Sequence, residues 1–193
     1  MDELHLLHRV NADKITSLVT QVGDRWDTQT SYADWTVRDL LNHLTAEQLW
    51  APELLAGRSV EEIGSRFEGD VLGDEPLAAW RLAVEAALAA FAEPGALERS
   101  VHFGDKSLTA DQYLDQMVTD LALHGWDLAT AIDADADIDP ATVDRLLVEW
   151  TGRAEESLRG PMFTGPDEPP QPIDVSDEEE AQTRLLALFG RHV

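Results

Sequence analysis

Apolar residues recur at helical spacing in four segments of this chain, and nowhere do apolar and polar residues alternate over the length of a sheet-forming strand. That patterning restricts the fold to amphipathic helices packed on one another. The first segment, about Asp2 to Val22, carries Leu4, Leu7, Ile15, Leu18, Val19 and Val22, with Gly23 as its stop. In the second, Asp34 or Thr36 can cap a helix whose stripe is Val37, Leu40, Leu41, Leu44 and Ala51, ending near Gly57. The third, Glu75 to Glu93, is rich in alanine, carries Leu77, Trp80, Leu82, Val84, Leu88 and Phe91, and stops at Pro94-Gly95. Thr109 opens the fourth, with Leu114, Val118, Leu121, Gly125, Leu128 and Ile132 on one face.

The connections are consistent with this reading. Arg58 to Glu75 is glycine-rich and acidic, with one short helical turn at Val60 to Ile63 after Ser59, and reads as a long crossover. Leu97 to Lys106 can form at most a small hairpin. Pro140 starts a further helix to about Leu158, five prolines between Gly160 and Pro172 form a polyproline-like linker, and a last short helix spans about Asp177 to Phe189. The expected fold is all-α. Residues 1–135 form an up-and-down four-helix bundle, and residues 136–193 form a helical extension in the same compact unit.

Charge and composition narrow the function. Asp plus Glu number 38 against 14 Lys plus Arg, a net charge of -24, and such a field repels phosphate backbones and anionic lipid surfaces. No nucleic-acid or membrane partner is therefore expected. The segment Met1-Asp2-Glu3-Leu4-His5 lacks a basic start followed by an apolar run, and no stretch approaches the ~18 apolar residues of a membrane span, so a cytoplasmic protein is expected. With no cysteine, any metal must be held by imidazole and carboxylate. A homodimer remains open.

Six histidines occur, and His43 and His124 lie inside predicted helices. At helical spacing His43 and Glu47 stack one turn apart on the edge of the second stripe, and Asp120 and His124 do the same on the fourth helix. A divalent ion that keeps an open position needs three protein ligands, and His43, Asp120 and His124 are the parsimonious set, with Glu47 able to replace or supplement Asp120. The bland alternative is that each histidine hydrogen-bonds within the core. His5 and His8 are expected on a solvated helix edge, and His102 and His192 do not enter the site. The six tryptophans read as packing, with Trp126 beside His124 the exception. No nucleotide-binding, serine-hydrolase or zincin motif is present.

Two segments add a resemblance. Asp34-Trp35-Thr36-Val37-Arg38-Asp39-Leu40-Leu41-Asn42-His43-Leu44 resembles the signature of mycothiol-dependent maleylpyruvate isomerase-like proteins of the DinB superfamily, and Asp120 to Ala129 resembles their fourth-helix ligand motif. Arg184 to Arg191 resembles the C-terminal end of a related actinobacterial metal-binding subfamily. The resemblance implies a DinB-like bundle with His43, Asp120 and His124 as metal ligands, Asp120 standing where the family usually has Glu. It implies Asp127 near the substrate or thiol in a catalytic role, and Arg184 in cofactor binding. The implied cofactors are a divalent metal, Zn²⁺ first with Ni²⁺ or Fe²⁺ as alternatives, and mycothiol. The implied function is a thiol-dependent isomerase or S-transferase acting on a small electrophilic metabolite. The alternative is a non-enzymatic metal-binding or partner-binding bundle.

Overall fold

The computed structural model describes residues 2–32, 34–103, 106–151, 172–176 and 178–192. The helices are α1 (Glu3–Val19), α2 (Val37–Leu55), a short α3 (Val60–Ile63), α4 (Pro76–Phe91), α5 (Ala110–Ala131), α6 (Pro140–Trp150) and α7 (Ala181–Leu188). One antiparallel hairpin, β1 (Ser100–Phe103) and β2 (Lys106–Thr109), pairs Val101 with Leu108 and His102 with Ser107 just before α5. The fold is an all-α bundle of α1, α2, α4 and α5, in which α1 packs chiefly on α5 and α2 on α4. Lesser α1–α4 and α2–α5 contacts close the ring, and α6 and α7 pack on each other outside it. Among the described residues, no helix is long and apolar enough to cross a membrane.

Local chemistry sets the helix starts. Thr36 caps α2 and Thr109 caps α5, each in a reciprocal capping box, the first with Asp39 and the second with Gln112. The predicted stripe Val37, Leu40, Leu41, Leu44 and Ala51 is wholly buried, as are Leu114, Val118 and Leu128 on α5. Gly125 lets α1 and α5 approach, since a Cβ there would stand 3.3 Å from Ile15 Cδ1. Trp80 and Trp150 are fully buried and donate their indole N–H groups to Thr16 Oγ1 and Thr119 Oγ1 at 2.8 and 3.1 Å.

The structure departs from the sequence reading in two places. Leu82, expected on the buried stripe of α4, is 68% exposed, because Trp80, Val84, Ala87 and Phe91 define the inward face. His8, expected on a solvated edge, is fully buried: α1 is an interior partner of the bundle, and His8 Nε2 meets Gln48 Oε1 of α2 at 2.9 Å. Burial pushes the His8 imidazole down to about 4, so it is neutral in the core. The proline-rich stretch short of Pro172, and any continuation of α6 past Thr151, lie outside the described residues.

Candidate functional site

The signature segment of α2 organises the region around His43. Before the helix, residues 28–30 lie against residues 35–37: Gln29 bridges Thr36, Thr30 N–H donates to Trp35 O at 2.8 Å, and Val37 N–H donates to Thr28 O at 2.9 Å. Arg38 donates to Asp70 and to the Gly73 carbonyl, each at 2.8 Å, while Asn42 accepts from Val71 N–H and donates to Gly69 O. Arg38 and Asn42 thus strap the long crossover to α2. The folded-back loop carries Ser31, Tyr32 and Trp35 over the bundle. Trp35 lies 4.9 Å from the His43 ring and Tyr32 4.6 Å from the His124 ring, both centroid to centroid.

Two helices supply the polar side chains beneath. On α2, His43 Nε2 stands 3.3 Å from Glu47 Oε1, as their i,i+4 spacing requires. On α5, Asp120 faces them, and ligand-type atoms of His43, Glu47 and Asp120 all lie within 4.8 Å of one another. His124 is not in that mutual set but adjoins it, its ring centroid 5.5 Å from that of His43 at an interplanar angle of 84°. Glu47 Oε2 and Asp120 Oδ2 are buried with no hydrogen-bond partner.

An unpartnered buried carboxylate oxygen is costly, so this pocket calls for a cation or a proton. In the metal-free protein the acids answer with protons. Burial pushes the Glu47 carboxyl up to about 7, against the lowering effect of its hydrogen bond with Asp120. Burial, and then the charge of Glu47, push Asp120 well above the ordinary aspartate range. His43 and His124 are lowered, chiefly by burial, so both imidazoles favour the neutral, ligand-competent form.

Asp127 behaves differently from Asp120. It is fully buried, and burial alone would raise its pKa, yet the Arg191 guanidinium, with hydrogen bonds from His124 and Arg191, holds it below the usual aspartate value. Arg191 Nη2 donates to Oδ2 at 2.6 Å and Nε to Oδ1 at 3.0 Å, and Ser31 Oγ donates to Oδ1 at 3.1 Å. His124 Nδ1 lies 2.9 Å from Oδ2, so Nδ1 is the donor and Nε2 is left free. Asp127 was expected beside substrate or thiol. Its carboxylate takes hydrogen bonds from Ser31, His124 and Arg191.

The arginine that reaches the site is Arg191, just past α7, stacked 5.2 Å over the Tyr32 ring. Arg184, expected to bind cofactor, is half-buried on α7, and among the described residues its side chain makes no hydrogen bond with the cluster. Arg191 was missed as a site residue although it closes the Arg184 to Arg191 segment, because nothing in its spacing marks it. Ser31 and Tyr32 precede the signature and carried no signal. Trp126, singled out beside His124, lies on a different face of α5, lining a cleft with Val10, Asn11 and Lys14, and Trp35 takes the place at the histidines.

The chain is similar to known proteins. Residues 8–129 match the family described as the mycothiol maleylpyruvate isomerase N-terminal domain, a span that holds all four bundle helices apart from the ends of α1 and α5. The uncharacterized proteins MT0763 and Rv0738 of two Mycobacterium tuberculosis strains, CDC 1551 / Oshkosh and H37Rv, are each 29% identical over 204 residues, covering 100% of both chains. Among solved structures, a histidine-to-alanine mutant of the mycothiol-dependent maleylpyruvate isomerase superposes with a TM-score of 0.60 at 18% identity. The match covers 77% of this chain and 68% of that one, a likeness of fold.

Proposed function

The chain belongs to the mycothiol maleylpyruvate isomerase N-terminal domain family, and from that premise we propose that it binds one divalent metal ion and acts with a low-molecular-weight thiol on a small electrophilic metabolite. The reaction is an isomerisation if the thiol is expelled again and an S-transfer if it is retained. His43, Asp120 and His124 would hold the ion. Neutral imidazoles with a carboxylate suit Zn²⁺, and Ni²⁺ or Fe²⁺ are the alternatives. Mycothiol is the thiol that the family description suggests, and the cytoplasm is the compartment that such a thiol implies.

One observation carries the metal reading: two buried carboxyl oxygens, Glu47 Oε2 and Asp120 Oδ2, stand without partners beside His43. When bound, a divalent ion lowers the pKa of a coordinating thiol enough to present it as thiolate at neutral pH. The chain's own residues prepare that event. Asp127 accepts a hydrogen bond from His124 Nδ1, so Nε2 would be the nitrogen left to bind an ion. Arg191 and Ser31 keep Asp127 ionised and immobile. Tyr32 lies against His124, which is 5% exposed, and Trp35 lies against His43, which keeps 26% exposure on the open side of the site.

Elemental analysis of untagged protein, with His43→Ala and His124→Ala alongside, tests this. About one ion per chain in the parent and none in either variant is the expected result. Titrating thiol into the cobalt-substituted protein should then produce a thiolate-to-metal charge-transfer band. No metal after reconstitution with Zn²⁺, Ni²⁺ or Fe²⁺, with unchanged folding of both variants, would sink the proposal.

A further inference from the structure

We infer that Glu47 is a fourth protein ligand of the ion, so that two imidazoles and two carboxylates enclose it. The inference rests on the metal-binding proposal above and names a donor which that proposal leaves out.

Geometry is the first argument. Helix α2 delivers His43 and Glu47 as a pair, with Nε2 and Oε1 3.3 Å apart, and Asp120 of α5 completes a set whose ligand atoms lie within 4.8 Å of one another. An ion placed among these three atoms has Glu47 within reach as well as His43 and Asp120. Hydrogen bonding is the second. The Glu47 side chain is only 12% exposed, and its Oε2, like Asp120 Oδ2, has no partner. A proton shared between the two acids satisfies one oxygen of each and leaves the others bare. Arg191, the guanidinium that reaches this region, is engaged by Asp127.

Charge is the third argument. A divalent ion held by one carboxylate and neutral imidazoles leaves a net positive charge of one in the bundle interior, beside an acid that must stay protonated. With both carboxylates bound the charges cancel in the thiol-free site, and a neutral cluster is the resting form a low-dielectric interior tolerates best. The set is then two nitrogens and two oxygens, which suits Zn²⁺ and Fe²⁺ and admits Mn²⁺ more readily than a site with one oxygen donor. Zinc sites can expand from four ligands to five, so a fourth protein donor leaves room for a thiol.

The test compares Zn²⁺ affinity of the parent protein and Glu47→Gln by competition with a chromophoric chelator, together with the visible spectra of their cobalt forms. Loss of a residue that only orients a ligand costs about 10- to 100-fold in affinity, so loss of a direct ligand should cost at least ~100-fold and change the position and intensity of the cobalt d–d bands. Equal affinity and superimposable cobalt spectra would overturn the inference and leave the three-ligand proposal standing. A parent protein that takes up no ion overturns both. Should Glu47→Gln not fold, a crystal structure of the zinc-loaded parent decides: a Glu47 oxygen at about 2.0–2.2 Å from the ion supports the assignment, and a water in its place refutes it.

Discussion

Replacing Arg191 with methionine isolates the part of the site that comes from farthest along the chain. The guanidinium is 7% exposed and makes two-pronged contact with the fully buried Asp127, 64 residues earlier. Removing one partner of such a pair leaves an uncompensated buried charge, at a cost of about 3–5 kcal/mol. At roughly 2–4 °C per kcal/mol for a domain of this size, Arg191→Met should lower the melting temperature of the metal-free protein by about 6–20 °C. Replacing Asp127 as well removes the stranded charge, so Asp127→Asn/Arg191→Met should be more stable than Arg191→Met alone. Acid titration adds a signature. Asp127 is held below its ordinary value, so its contribution is complete above the unfolded pKa of 3.8 and fades as pH falls through the lowered folded value. In Arg191→Met that acid-side loss should shrink or reverse. Calorimetry and urea titration of the parent, the double variant and both single variants, Arg191→Met and Asp127→Asn, read these quantities. A loss below about 1 kcal/mol in Arg191→Met, or strict additivity of the two substitutions, would refute the reasoning that places the C-terminal arginine as the clamp of His124's partner.

Other outcomes follow from the same structure. Glu47, raised to about 7, remains protonated in the folded metal-free chain while its unfolded counterpart ionises above 4.5, so this group should reduce stability as pH rises from 4.5 to 7, by about 3 kcal/mol. Thermal unfolding of metal-free Glu47→Gln across that window should show a flatter profile, and an unchanged slope would contradict the assignment. His8 has the opposite sign: lowered to about 4, it stays neutral while the unfolded form protonates below 6.5, so stability should fall as pH drops from 6.5 toward 4, and His8→Gln should remove about 3 kcal/mol of that dependence. Gly125→Val should destabilise by about 1–3 kcal/mol, because the added Cβ already stands 3.3 Å from Ile15 Cδ1 and its methyls add to that crowding between α1 and α5; a neutral result in urea titration would show that α1 can shift. Asp127→Asn should weaken Zn²⁺ binding about 10- to 100-fold through His124, measurable by chelator competition, and unchanged affinity would remove Asp127 from the site's support.

Much of the framework was legible in advance because it is local. Thr36 with Asp39 and Thr109 with Gln112 are caps whose partners lie three residues away, and the α2 and α5 stripes bury the residues their period predicted. The pairs His43–Glu47 and Asp120–His124 followed from one helical turn each. The short turn at Val60–Ile63 also appears where Ser59 placed it, while the hairpin before α5 extends past the Leu97–Lys106 stretch read for it, its second strand running Lys106–Thr109. Burial of His8 was not legible, because a polar residue in a helix has no local mark that it meets Gln48 on another helix.

By itself, then, the sequence determined which residues share a face of one helix, where the bundle helices begin, and that any metal would have to be met by imidazole and carboxylate; the last helix, expected from about Asp177, begins only at Ala181. Periodicity and capping act over three to seven residues, and composition needs no fold at all. Only the tertiary structure decided which faces meet. Packing of α2 alongside α5 brought Glu47 into the same pocket as Asp120, and the pairing of residues 28–30 with residues 35–37 laid Tyr32 and Trp35 on the histidines. The turn after α7 carried Arg191, and not Arg184, to Asp127. Those contacts depend on the relative placement of segments tens of residues apart, which is settled by burying all the apolar stripes at once and leaves no periodic trace in any one of them.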